Sequence, residues 1–218
     1  IRLKTYLTQQ YINYQHVGEF IERLIDLNCD MGESFGAWTM GADLEMLDIV
    51  TSANIACGFH AGDPDVIYDT LHTAQAKHVA AGAHPGFHDL VGFGRRQILG
   101  YTPQQIHHMV AYQIGAIKAL AECQGIRLQH VKTHGAFGNM AAENPAWAQA
   151  VADAIYQIDP QLIMVVMPGM STETAALNRG LPVIREIYLD RAYADNGNLL
   201  PRNLPGAVIH DAHYAAER

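Results

Sequence analysis

Between Ser52 and Asp63 the sequence SANIACGFHAGD changes period once, and the change falls at a histidine. Ala53, Ile55, Cys57 and Phe59 alternate with Ser52, Asn54, Ala56, Gly58 and His60, which predicts a strand with one apolar face and one small or polar face, ending on His60. Asp63-Pro64 follows, a helix-capping residue with proline at the first helical position, so a helix has to begin within a few residues of the imidazole. A strand, a polar tip and a helix is the unit from which α/β folds build sites. What constrains the fold is that this unit recurs.

Ile25 to Met31 reads as a first strand, with Asp26, Asn28 and Asp30 on one face, and Asp43 to Val50 as a short helix. After Asp63-Pro64 a helix is expected to about Lys77, then a strand from Val79 to His84. Thr102-Pro103-Gln104-Gln105 carries the signature of a capping box before a helix that stops at Gly125. Ile126 to His134 is the next strand, with His130, Lys132 and His134 on one face. Asn144-Pro145 opens a helix to about Ile158, and Leu162 to Met167 reads as a buried strand. A helix from Ser171 to Asn178 and a strand from Pro182 to Leu189 complete the series, with Glu186, Tyr188 and Asp190 at one parity and Arg191 next.

Strands alternating with helix-length crossovers predict an all-parallel sheet. No glycine-rich dinucleotide fingerprint follows the first strand, so a closed or nearly closed barrel is favoured over a nucleotide-binding open sheet. Asp30, His60, His84, His134 and Asp190 end strand after strand, as groups converging on one barrel mouth would. Asn28, Asn54, Lys132 and Glu186 fall on the inward sets, which predicts a polar cavity that runs deep. Three imidazoles at three strand tips point to proton-transfer chemistry near neutral pH, whereas His72, His78, His107 and His108 read as surface groups on or beside helices. Arg95 and Arg96, after Gly92-Phe93-Gly94, are candidates for clamping an anion.

The 218 residues suffice for one sizeable core, and a net charge of -8 argues against nucleic acid or an anionic membrane surface as partner. A small-molecule substrate fits better. Cys29, Cys57 and Cys123 stand far apart and predict reduced thiols in a cytoplasm, and no apolar run is long enough to span a bilayer. Residues 1–24 carry Tyr11, Ile12, Phe20, Ile21 and Leu24 at loosely helical spacing and are read as an N-terminal extension to a single barrel domain over 25–218.

Five ordered blocks, IDLNCDMGESFGAW, SANIACGFHAGDP, GAHPGFHDLVGFGRR, HVKTHGAFGN and EIYLDRAYADNGNLLPRNLPGAVI, resemble the signature blocks of the LamB/YcsF family in order and spacing from about Leu24 onward. Thr133, Phe137-Gly138 and Asp195-Asn196-Gly197 depart from the family pattern, beside His134 and in a loop. The resemblance implies a distorted TIM-like (β/α) barrel related to sugar deacetylases. It also implies ATP-dependent opening of 5-oxoproline to glutamate with the B and C subunits of a 5-oxoprolinase, and it implies no assigned metal. This chain has no Gly-x-x-x-x-Gly-Lys-[Ser/Thr] loop, so ATP is expected on the partners.

The residues then fall into two groups. Asp30, His60, His84, Lys132, His134 and Asp190 are the catalytic candidates: Asp30 or His60 as base, Lys132 as the stabiliser of negative charge, His134 or His84 as acid. Asn28, Asn54, Arg95, Arg96, Glu186 and Arg191 are the substrate-binding candidates. The alternative is a metal-dependent deacetylase or carbohydrate-binding barrel with Asp30, His60 and His84 as ligands, against which stands the lack of His-Glu-x-x-His; a binding-only subunit is a third reading. Six strands are counted, family members continue with a further strand ending in His-Gly-Asp, and nothing here matches it. The expectation is therefore a barrel short of its last strand, associating through the open seam.

Overall fold

The computed structural model of the chain describes residues 25–217; the extension expected over 1–24 lies outside them. The elements run β1 (Asn28–Met31), α1 (Asp43–Met46), β2 (Ser52–Ala56), α2 (Pro64–Ala76), β3 (Ala80–His84), α3 (Pro103–Glu122), β4 (His130–Lys132), α4 (Gly135–Glu143), α5 (Pro145–Ile158), β5 (Ile163–Val166), α6 (Ser171–Arg179), β6 (Val183–Arg185) and α7 (Ala212–Glu217). The six strands lie in sequence order in one sheet, and every pair is parallel. Helical crossovers between them curl the sheet into a half-barrel.

Helix starts follow the capping chemistry. The Asp63 carboxylate accepts from the backbone N–H groups of Asp65 and Val66, Asn144 does the same for Ala146 and Trp147, and Thr102 with Gln105 forms the reciprocal box. The core lies between the outer face of the sheet and these helices. Ile55, Ala83, Val131, Met164 and Val166 pack there with Leu71, Ile106, Ile114, Ile117 and Ile155, all buried.

Strand ends differ from the sequence reading. β2 stops at Ala56, four residues before His60, because Gly58 and Gly62 take positive φ (92° and 80°) and turn the chain out of the ladder. The Gly58 N–H then bonds Ala61 O instead of a neighbouring strand. β4 is shorter than the 126–134 expected, and β6 ends at Arg185 rather than near Leu189. Helix α4 was not anticipated; it opens on Gly135 (φ 53°), and Gly138 sits where a Cβ would come within 2.8 Å of Thr133 O.

The inner face of the sheet is polar from base to mouth. Ser52 donates to Asp26 at the base, and Asn54 donates to Asn28 (2.7 Å) and Asp30 (2.9 Å) one layer up. His130 donates from Nε2 to the Asn54 oxygen (2.9 Å), and its ring occupies the space over Gly82, the residue paired with it on β3. A side chain at 82 would collide with that ring.

Candidate functional site

Above this polar column the strand tips hold two linked clusters at the edge of one cavity of about 960 Å³. The first centres on Lys132, buried on β4. Its Nζ lies 2.7 Å from Glu186, 3.1 Å from Asp30 and 3.1 Å from the Asn28 oxygen, with the Tyr188 ring centroid 5.0 Å away. Burial alone would drive the proton off, but Asp30, Tyr188 and Glu186 more than reverse this, so the ammonium is held charged. Burial likewise opposes ionisation of Asp30, and His84 with Lys132 overcomes it, holding the carboxyl well below its usual range.

The second cluster is Glu33, His60, His84 and His134. Glu33 stands on the loop after β1, a loop tied by hydrogen bonds from Gly32 N–H to Asp43, from Gly36 N–H to Asp63 and from Gly62 N–H to Ser34 O. His60 Nε2 faces its carboxylate at 3.2 Å, and His134 Nδ1 lies 3.6 Å from the same oxygen. The rings of His60 and His134 are stacked, 3.7 Å apart and 5° from parallel. Gly94 backs them both, since a Cβ there would meet His134 at 2.7 Å and His60 at 2.8 Å.

Backbone carbonyls fix two tautomers. His134 Nε2 is 2.8 Å from Phe93 O and His84 Nδ1 is 2.7 Å from Lys132 O, and because a carbonyl only accepts, both nitrogens carry hydrogen. The inner nitrogens, His84 Nε2 and His134 Nδ1, then face each other at 3.0 Å. Burial, with His60 and His84 nearby, depresses the His134 pKa to about 2, so its inner nitrogen is bare. For His84 burial works the same way, but Asp30, whose carboxylate lies 3.3 Å from Nε2, outweighs it and raises the pKa. One proton on His84 Nε2 is thus shared between His134 and Asp30. Burial raises the Glu33 carboxyl and holds His60 neutral.

Each expected site residue has a definite place. Asp30, His84, Lys132, His134, Glu186, Arg95 and Arg191 line the cavity. His60 closes the histidine cluster from behind, while Asn28 and Asn54 lie in the column beneath Asp30 and Lys132. Arg191 also shapes the cavity wall, donating to the backbone carbonyls of Leu200 and Ala207 and so folding the 190–209 segment over the mouth. Arg96 turns away to pair with buried Asp89, and Asp190 is exposed; neither lines the cavity. Glu33 and the Phe93 carbonyl are the members that sequence reasoning missed. The signal for Glu33 was thin, an acid two residues beyond a strand tip and next to a glycine; for a backbone carbonyl there was none.

The LamB/YcsF family profile matches residues 25–218. This chain belongs to the LamB/YcsF family. Among LamB/YcsF relatives, the A subunit of a 5-oxoprolinase from Rhodopseudomonas palustris is 53% identical over 194 residues, covering 89% of this chain and 76% of that protein. Its counterpart from Gluconobacter oxydans is 52% identical over 196 residues, covering 90% and 77%. The crystal structure of a lactam utilization protein from Thermus thermophilus superposes with a TM-score of 0.83 at 46% identity, over 89% of this chain and 78% of that one. Among the described residues no helix is long and apolar enough to cross a membrane.

Proposed function

We propose that this chain opens the lactam ring of 5-oxoproline to give glutamate, as one component of an ATP-dependent 5-oxoprolinase in the cytoplasm, with subunits B and C binding ATP and activating the amide oxygen. The observation that carries the reading is the pairing of buried, charged Lys132 with ionised Asp30 on the floor of a cavity bordered by His84 and His134. The relatives' names supply the substrate class.

A five-membered lactam is an unreactive amide, so water must be activated and the charge that builds on the carbonyl oxygen must be met. Asp30 takes the proton of the attacking water, the oxygen adds to the carbonyl carbon, and Lys132 opposes the negative charge that develops. The C–N bond then breaks; with the amide oxygen phosphorylated from ATP, this leaves an acyl phosphate that a second water hydrolyses to the glutamate carboxylate and phosphate. The ring nitrogen receives the proton back from Asp30, which His84 has held in place by hydrogen bonding. His84 and His134 are tied by their outer nitrogens to backbone carbonyls and by their inner ones to each other, which suits them to orienting Asp30 better than to direct delivery. Arg95 and Arg202, on the rim, suit an anionic group on the substrate.

Glutamate release by this chain mixed with subunits B and C and ATP tests the reading. Replacement of Asp30 by Asn, or of His84 or Lys132 by Ala, should lower turnover at least ~100-fold with native circular dichroism retained. The isolated chain should neither hydrolyse ATP nor open 5-oxoproline. Near-normal turnover in all three variants, or full activity without partners, would overturn the assignment.

A further inference from the structure

We propose that Glu33, His60, His84 and His134 bind one divalent first-row cation of the zinc type, which presents a water to the cavity as the nucleophile for ring opening. Each residue offers a ligand atom, and the four atoms lie within 4.8 Å of one another. Bonds of about 2.0–2.1 Å put tetrahedral ligand atoms roughly 3.3–3.4 Å apart. The separations between facing atoms are 3.0 Å (His84 Nε2 to His134 Nδ1), 3.2 Å (His60 Nε2 to Glu33) and 3.6 Å (His134 Nδ1 to Glu33), which bracket that edge.

The outer shell points the same way. A metal-bound imidazole normally donates its second ring N–H to a carbonyl or carboxylate, and the backbone holds His84 and His134 so, through Lys132 O and Phe93 O. With both outer nitrogens protonated, neutral rings present two bare lone pairs to each other, and something positive has to lie between them. A proton can serve that one pair. The Glu33 carboxylate and His60 Nε2, 3.2 Å apart and largely buried, take a second proton between them, whereas one cation meets all four donors at once. Three imidazoles and one carboxylate suit zinc or a similar ion rather than magnesium or calcium, which prefer oxygen ligands.

His60 and His134 set one condition. Their rings are parallel, so their in-plane lone pairs run side by side, and sharing an ion requires the rings to splay until those lone pairs converge. His84, His134 and Glu33 line the cavity and His60 does not, so a water joining the four side chains as a fifth ligand enters from the substrate side. A water held there loses a proton near neutral pH. Resting on the ring-opening reading, the hydroxide oxygen bonds to the lactam carbonyl carbon, the C–N bond breaks, and the proton released by the water passes through Asp30 to the ring nitrogen. No redox change is involved.

Cobalt(II) titrated into the chelator-treated 218-residue chain tests the site, because a four- or five-coordinate ion gives visible bands that do not depend on turnover. One equivalent should saturate the bands, and zinc should abolish them. His134→Gln and Glu33→Gln should each weaken binding beyond the roughly 10–100-fold that loss of an outer-shell partner costs, while His107→Ala, on the outer helix α3, should bind as the parent does. No saturable binding by the folded parent chain, or equal binding by the parent, His134→Gln and Glu33→Gln, overturns the proposal. Turnover with subunits B and C that is unaffected by chelator would remove the metal-bound nucleophile and leave the ring-opening function standing; stoichiometric cobalt binding without ring opening would do the reverse.

Discussion

His130 couples the polar column to acid. Its ring is buried, and burial lowers the pKa from an ordinary 6.5 to about 4, with Asp26 opposing and Lys132 and His84 adding to the shift. The unfolded chain therefore binds a proton between about pH 6.5 and 4 that the folded chain does not, so stability is highest above that window and is lost as pH falls through it. His130→Gln removes this linkage. Denaturant unfolding followed from pH 7 to 4 should show a shallower loss of stability in the variant than in the parent, and equal slopes would count against the burial argument. At this scale much of the site was legible. Alternation placed Asn28, Asp30, Asn54, His130 and Lys132 on one face, and they are in contact. Glu33 was not legible, because it lies in a loop whose course is set by bonds to Asp43, Asp63 and Gly62 rather than by any period. Asp190 and Arg96 show the reverse, a polar residue at a suggestive position that tertiary packing directs elsewhere.

Elements were more legible at their starts than at their ends. Proline at a first helical turn after Asp, Thr or Asn leaves few alternatives, and α2, α3 and α5 begin where that chemistry places them. A strand ends where its neighbour stops pairing, which is a tertiary fact, and β2, β4 and β6 all end sooner than their apolar alternation does. The α4 segment has two glycines within GAFGNMAAE, a poor intrinsic helix, and it is held by burying Ala136, Phe137, Ala141 and Ala142. Asp63 links the two levels. One carboxylate oxygen caps α2 and the other accepts from Gly36 N–H at 2.7 Å, so the cap also anchors the loop that carries Glu33. Asp63→Ala should cost about 1 kcal/mol, lowering the melting temperature by roughly 2–4 °C for a chain of this size. It should also weaken cobalt binding at the Glu33 cluster. A melting curve unchanged from the parent would show that the cap contributes nothing to the fold.

At the scale of the whole molecule, the parallel α/β architecture followed from alternation and crossover length alone, and the curl of the sheet follows from the strand order. Among the described residues, β1 and β6 each pair on one side only. An unpaired strand edge offers backbone donors and acceptors to any chain that can reach it, and proteins normally blunt such edges with charge, proline or a covering element. Here exposed apolar side chains stand at both edges beside the charged Asp26 and Arg185. Ile25 and Leu27 precede β1 at 79% and 42% exposure, and Ile187 and Leu189 follow β6 at 70% and 61%. Burial of such groups is favourable at about 25 cal/mol per Å², so contact between copies at these edges is expected to grow with concentration. Sedimentation velocity on the 218-residue chain should show association rising from micromolar concentrations upward. Ile187→Lys combined with Leu189→Lys, which puts charge beside one edge without touching the cavity lining, should reduce it while leaving cobalt binding intact. A parent chain that sediments as a monomer throughout would mean that the two edges are covered by other means.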